Sequence, residues 1–390
     1  MKQIHQRRVR RTTLIAFGCA AFLAGLTLPK LGLIAAGDFL LLVALGFLVL
    51  CFWRRLLVAV PAVVLCGLCL GLWRGSVVQQ SLETYQPHLG QKVVLQATVT
   101  QDPTFNIKNQ LDFYAGDVTL DGQSLPGVIR VTSFDPVEPR RGDEVQVQGK
   151  LLDGFGPYQA AVYFASVKVV QPSNSWFELL RRSFTTNILN NLPEPQASLG
   201  LGFLVGLKSQ LPDSLNKQLQ VLSLTHIVVA SGFNLTVLVR VARRLFAKRS
   251  KYQATLATGL MMFGFLLVTG FSASMSRAVL VTALSLAAWY YGRNIHPVVL
   301  LLFSAALTAG WYPFYVWGDL GWWLSFLAFA GVMLGAPLVQ ARLFGERAVP
   351  EIAQIAIETV CAQAAALPLL MFSFGTFSVL AFPANLLVVP

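Results

Sequence analysis

The feature that most limits what this chain can become is the gathering of its apolar residues into long, nearly uninterrupted blocks. Segments 13–28, 39–53, 56–73, 222–239, 254–271, 278–291, 298–311, 320–339 and 352–372 hold almost no charge, and a further run begins near Val379 and is unfinished at Pro390. Blocks approaching ~20 residues match the hydrocarbon thickness of a bilayer when helical, because a helix satisfies its own backbone where there is no water. The composition is 55% hydrophobic and 12% charged, against about 25% charged for soluble domains. A single soluble core is excluded, and the pattern predicts a polytopic α-helical membrane protein.

The net charge of +12 needs a topological account before a nucleic-acid one. With a cytoplasmic amino terminus, the tail residues Lys2, Arg7, Arg8, Arg10 and Arg11 share a side with Arg54 and Arg55 and with the group Arg240, Arg243, Arg244, Lys248, Arg249 and Lys251. Arg293, Arg342 and Arg347 fall there too, whereas the opposite membrane loops hold Lys30, Arg74 and Arg277. This is the positive-inside bias, so most of the basicity is an address for insertion into the cytoplasmic membrane. The polar segment 75–220 carries eleven basic and thirteen acidic residues, close to neutral.

The first block has no convincing small-x-small cleavage site and a second block follows at once, so it reads as an uncleaved anchor. The run that stops at Pro390 reads as the start of a span that a longer chain would finish. All five cysteines, Cys19, Cys51, Cys66, Cys69 and Cys361, fall inside apolar blocks. No disulfide is expected in the exported segment, and Cys66-x-x-Cys69 reads as small residues packing between helices.

From about Lys92 to Val170 the pattern changes to short alternating runs rich in β-formers. Strands are predicted at 93–101, 110–120, 127–134, 144–152 and 160–170, with turn chemistry at Asp121-Gly122, Arg141 to Asp143 and Asp153 to Pro157. Five strands of this spacing predict a small barrel of OB type. The fold class is therefore a polytopic α-helical membrane protein with an inserted extracytoplasmic small β-barrel (OB-like) domain. Its expected parts are a tail and three spans (1–74), the β-domain (75–172), interfacial amphipathic helices (173–220) and a second transmembrane domain (221–390).

OB barrels bind single strands on an aromatic, basic face. Arg130, Lys150, Tyr158 and Tyr163 are the candidate contacts, with Phe113, Tyr114 and Phe164 nearby, although the near-neutral charge favours core filling for these aromatics. In 176–189 apolar residues recur at helical spacing around Arg181 and Arg182, which reads as a membrane-surface connector, with a gate or docking surface as the functional version.

Polar groups inside spans are costly and therefore informative. His226, Ser231, Gly232 and Asn234 interrupt one apolar segment, and Ser231-Gly232 is a candidate helix break. Arg277 and Asp319 are expected at the outer starts of two spans, able to pair or to guide a polyanion; Ser325, Gln363 and Asn385 complete the candidate translocation path. For any of these, simple helix packing is the competing account.

At these positions the sequence resembles the ComEC family of bacterial competence channels. Leu224-Thr-His-Ile-Val-Val-Ala-Ser-Gly-Phe-Asn-Leu235 is similar to the family's Leu-x-His-Leu-x-x-x-Ser-Gly signature. Met275-Ser-Arg-Ala278, Gly292-Arg-Asn-Ile-His-Pro297, Asp319-Leu-Gly-Trp-Trp-Leu-Ser-Phe326, and Gln363 to Pro368 with Pro383-Ala-Asn385 resemble the following motifs in order. Many members carry Gly-Leu-His where this chain has Gly232-Phe-Asn234, so a second histidine's role does not carry over; Asn234 retains a hydrogen-bonding group without titrating.

The resemblance implies passage of single-stranded transforming DNA across the cytoplasmic membrane, alongside a DNA receptor and a cytoplasmic ATPase or helicase that supplies the pulling force. No P-loop Gly-x-x-x-x-Gly-Lys-Ser/Thr occurs. The four histidines, His5, His88, His226 and His296, form no His-x-His-x-Asp-His cluster, so these residues do not encode the family's metal-dependent nuclease domain; no metal, cofactor or catalytic residue is expected. Assembly as a homo-oligomer is left open. The competing functions are secondary transport of a non-nucleic-acid solute and a membrane scaffold whose exported domain recruits partners.

Overall fold

The computed structural model describes residues 11–31, 46, 56–105, 110–207, 211, 212, 215, 218, 219, 232–246, 250–270, 272–293, 295–374 and 383. The expected blocks 39–53 and the one beginning near Val379, and most of 222–239, lie outside them. In chain order, helices α1 (Arg11–Thr27) and α2 (Leu56–Leu82) lead through a 3-10 turn (Glu83–His88) into strands β1 (Lys92–Val99), β2 (Thr104–Phe105), β3 (Leu111–Leu120), β4 (Gln123–Leu125), β5 (Ile129–Ser133), β6 (Glu144–Asp153) and β7 (Ala160–Gln171). Helices α3 (Trp176–Asn191), α4 (Gln196–Val205), α5 (Gly232–Leu245), α6 (Lys251–Thr269) and α7 (Ala273–Tyr290) follow. The remainder is α8 (Pro297–Trp311), α9 (Phe314–Gly318), α10 (Leu320–Ala330), a π-turn (Gly331–Gly335), α11 (Ala336–Phe344) and α12 (Glu351–Phe374).

Among the described residues five helices are long and apolar enough to cross a bilayer: Thr12–Leu31, Ala59–His88, Lys251–Thr269, Leu320–Phe344 and Glu351–Ser373. The protein is a membrane protein. Two compact units divide the chain, one of Met1–Ser81 with Leu280–Phe374 and one of Leu82–Val279 with Gly375–Pro390.

In the first unit α1 and α2 approach to backbone contact. A Cβ on Gly71 would overlap the Phe22 carbonyl oxygen, one on Gly67 that of Gly18, and one on Gly75 would lie 2.8 Å from the Leu26 oxygen. Small residues at four-residue spacing give this closeness where lipid removes the hydrophobic drive to associate. The glycine run Gly67, Gly71, Gly75 therefore makes the contact that the sequence reading assigned to Cys66 and Cys69.

Helix ends in this unit are closed by long side chains. Arg74 donates from Nε to Gly310 O (2.9 Å) and from Nη2 to Trp311 O (3.1 Å), at the end of α8. Lys30 Nζ donates to Trp317 O (2.5 Å) in α9, and Trp317 Nε1 returns a bond to Leu26 O (2.9 Å) in α1. The last carbonyls of a helix lack intrahelical donors and carry the negative end of its dipole, so a cation suits them. Lys30 and Arg74 thereby acquire a structural reason for departing from the charge bias of the loops.

The second unit contains the barrel. Five strands close in the order β1-β6-β7-β5-β3 and back to β1, with β5 and β7 parallel and the other pairs antiparallel. This is the OB arrangement, and each of the five falls within about two residues of its expected span; the short β2 and β4 were not anticipated. Alternation along the strands packs Leu95, Phe113, Ile129, Val147 and Val162 inside. Tyr85, from the 3-10 turn that follows α2, plugs the core and donates from its hydroxyl to Pro126 O (2.8 Å). Asp121 and Gly122 take positive φ (50° and 81°), the two-residue hairpin that joins β3 to β4.

Candidate functional site

Two groups of the expected residues can be built up from their elements, one in the helical part of the second unit and one on the barrel. In the helical part, α5, α6 and α7 share a small core of Leu235, Val239, Met262 and Ala278. Helix α7 starts at Ala273, with Ser272 Oγ accepting from Met275 N (3.2 Å), so Arg277 stands in its second turn and not before the span as the sequence suggested. A Cβ on Gly232 would lie 3.0 Å from the Ala278 Cβ and 3.4 Å from Arg277 Nη2. Glycine at 232 is what lets the guanidinium lie against α5, and two motifs separated in sequence meet at this point. Asn234, two residues along, donates from Nδ2 to Phe203 O (3.1 Å) in the last turn of α4.

The other expected path residues divide by unit. Asp319 belongs to the first unit, where its Oδ1 accepts from Trp322 N (2.9 Å) as the N-cap of α10. His296, in the motif Gly292 to Pro297, is likewise an N-cap: Nδ1 accepts from Val298 N (3.3 Å), with Pro297 opening α8. Ser325 lies on α10, and Gln363 on α12, with its buried Nε2 lacking a hydrogen-bond partner among the described residues. His226, Ser231 and Asn385 lie outside the described residues.

On the barrel, the strand register brings Arg130, Lys150, Tyr158 and Tyr163 into one neighbourhood. Arg130 on β5 is gripped by Asp112 on β3, Nε to Oδ1 at 2.9 Å and Nη2 to Oδ2 at 2.6 Å, and its guanidinium stands 5.8 Å from the Tyr158 ring centroid. Tyr158 in turn lies 6.0 Å from Tyr114. Lys150 is exposed on β6 opposite Tyr163 on β7, and Lys92 is opposite Lys150 on β1. The bond to Asp112 raises the Arg130 pKa, and burial, with a hydrogen bond to Tyr158, raises that of Tyr163.

Phe113 is inside the barrel core, as the core-filling account has it, but Phe164 is 72% exposed and stacks on Phe134 at 5.9 Å. Phe105, in the β1–β3 connection, and Phe155, in the β6–β7 connection, are also exposed. These connections correspond to the loops that flank the ligand face of OB barrels. Phe105, Phe134 and Phe155 were absent from the sequence-based set; a lone phenylalanine in a polar loop was the available signal.

A third cluster was not anticipated at all. Arg141 pairs with Glu178 (2.6 Å), Arg182 with Asp143 (2.6 Å), and Arg181 with Asp102, joining the barrel to α3. Arg141 Nη2 also donates to Leu267 O (3.0 Å) in α6. Burial opposes the Asp143 carboxylate, but the N–H groups of Ser173 and Arg140 and the Arg182 guanidinium outweigh it and hold its pKa below the ordinary carboxylate value. Arg181 and Arg182, expected between the apolar residues of a surface helix, thus face the barrel.

Apolar helices carrying an OB-type barrel, with motif residues meeting at Gly232 and Arg277, define a polytopic membrane protein with an inserted barrel domain. Residues 203–390 match the family model described as Competence protein. It is 24% identical over 212 residues to ComE operon protein 3 of Bacillus subtilis (strain 168), a match covering 53% of this chain and 26% of that protein. The chain thus aligns with about a quarter of the length of this curated relative. No solved structure matches it.

Proposed function

We propose that this protein is the membrane channel through which single-stranded transforming DNA crosses the cytoplasmic membrane during natural competence. The observation that carries the reading is the competence match over 203–390, within which Gly232 and the Arg277 guanidinium are brought to contact distance from separate motifs. The amino terminus is cytoplasmic and the barrel extracytoplasmic in this reading, following the distribution of arginine and lysine. His226, Ser231, Gly232, Asn234, Arg277, Asp319, Ser325, Gln363 and Asn385 serve the path or its gating. The barrel meets the strand with Arg130, Lys150, Tyr158 and Tyr163, through charge and stacking.

These residues perform conduction and no covalent chemistry. A cytoplasmic ATPase or helicase pulls the strand, and a DNA receptor delivers it. Asn234 and Asp319 position helices through their bonds to Phe203 O and Trp322 N. Arg277 is the residue whose fixed charge suits a phosphate backbone passing through an apolar surround.

The test is uptake of labelled DNA by cells in which the complete gene is deleted, restored, or restored with Arg277→Ala or His226→Ala at matched membrane abundance. Deletion is expected to leave DNA outside the membrane, and Arg277→Ala to reduce entry at least tenfold. Normal uptake after deletion would overturn the channel reading in favour of solute transport. Intact uptake in both point variants, with loss on removing 92–170, would favour a scaffold.

A further inference from the structure

Helix α3 wears its polarity inside out. Glu178 and Arg181 are 9% and 6% exposed, whereas Trp176, Leu179, Leu180 and Phe184 are 64%, 52%, 59% and 44% exposed. Positions 176, 179, 180 and 184 share one face of an α-helix and 178, 181 and 182 the other. The charged face is ion-paired: Glu178 with Arg141, Arg181 with Asp102, and Arg182 with Asp143, three cations against three carboxylates. A helix resting on a water-washed barrel would present those charges to solvent and its leucines to the protein.

The apolar face occupies the first half of the helix. Past Phe184 the exposed positions become Thr186, Asn187, Asn190 and Asn191. The apolar half is tied to a membrane span through its charged face: Arg141 bridges Glu178 to the Leu267 carbonyl, in the last turns of α6. Ile188 and Leu189, further along α3, and Val268 of α6 pack against one core of Leu201, Val205 and Leu207. Because Lys251–Thr269 has the length and composition of a bilayer-crossing helix, its last turns mark the boundary between hydrocarbon and headgroups. An exposed tryptophan flanked by leucine and phenylalanine suits that boundary, where an amphipathic ring meets both media.

We propose that the face formed by Trp176, Leu179, Leu180 and Phe184 lies in the headgroup–acyl boundary of the lipid bilayer. Helix α3 is then a two-sided anchor: lipid holds its apolar face, the six-charge cluster holds the barrel to the other, and Arg141 ties both to the end of α6. The occupant is the bilayer because α3 is bound through Arg141 to the last turns of a spanning helix, and its exposed apolar face fades to asparagine along α3 away from that half. This assignment does not depend on what the protein conducts.

The test uses the full chain reconstituted one copy per lipid nanodisc of phosphatidylcholine and phosphatidylglycerol. A membrane-impermeant maleimide is expected to label Leu180→Cys and Phe184→Cys at least tenfold more slowly than Asn190→Cys, after subtraction of the background from the unsubstituted protein. Lipid brominated near the headgroup is expected to quench a component of tryptophan emission that Trp176→Phe removes, a readout that the unsubstituted protein itself supplies. Equal labelling rates at the three positions, or tryptophan quenching unchanged by Trp176→Phe, would overturn the proposal. So would protection that appears only when two copies share a disc, which would assign the face to self-association.

Discussion

The two units place cations in apolar surroundings by different means. In the first, Lys30 and Arg74 donate to neutral backbone carbonyls at the ends of α8 and α9. In the second, Arg141, Arg181 and Arg182 face full carboxylates at Glu178, Asp102 and Asp143. A carbonyl at a helix end offers a partial charge without a second desolvated ion, which suits a segment that also meets lipid. A carboxylate offers a stronger grip, but removal of either partner strands the other. The first device closes a helix; the second fastens a domain.

That contrast is sharpest at Arg181. Arg181→Ala leaves the half-buried Asp102 without its cation and removes a second cation beside Glu178, and is expected to cost about 3 kcal/mol, read as a drop in the unfolding midpoint of the detergent-solubilised chain. Gly71→Leu forces α1 and α2 apart at a contact already at van der Waals limit, with an expected loss of about 2–3 kcal/mol in the same measurement. Arg74→Ala uncovers two neutral carbonyls, Gly310 O and Trp311 O, and is expected to cost about 1–2 kcal/mol. Equal losses for Arg74→Ala and Arg181→Ala would break the comparison.

Acid discriminates between the two devices as well. The Asp143 pKa is depressed below its ordinary value of 3.8, so its contribution is complete above that value and is lost as pH falls from there through the lower folded value. Unfolding midpoints measured from about pH 5 downward are expected to hold until the ordinary carboxylate range and then fall, with a shallower fall in Arg182→Ala. The smallest effect is expected on the barrel face. Asp112→Asn weakens the hold on Arg130 and is expected to tighten single-stranded DNA binding about threefold while steepening its salt dependence, roughly one added phosphate contact. Weaker binding would mean that the Asp112–Arg130 pair shapes the face instead of masking it.

The barrel was legible because alternation has a period of two and a one-residue slip would turn every inner side chain outward. Val93 to Val99 and Val145 to Leu151 announce their inner face in this way, whereas on β7 the exposed Phe164 interrupts the period. The spans were legible by length, although their ends shifted: α7 begins five residues earlier than the apolar block at 278, and α2 runs on to Leu82, past Arg74. Hydropathy averages over a window, whereas a helix ends where its backbone groups find caps, such as Ser272 for α7 and His296 for α8. Asp319 and Asn234 were read as path candidates from their polarity alone, and their bonds to Trp322 N and Phe203 O reveal helix-end chemistry that residue type does not announce.

The sequence by itself determined the class of the protein: apolar blocks of bilayer length, an alternating segment that closes into a small barrel, and ordered motifs similar to those of competence proteins. These follow from local period and composition, which are properties of neighbours in the chain. Tertiary structure alone decided the partner of each charge. Arg181 could have faced water, lipid or Asp102, seventy-nine positions away, and Gly71 could have faced any helix rather than Phe22. Such pairings depend on how elements dock, and ion pairs and backbone contacts between distant residues leave no periodic trace in a single sequence.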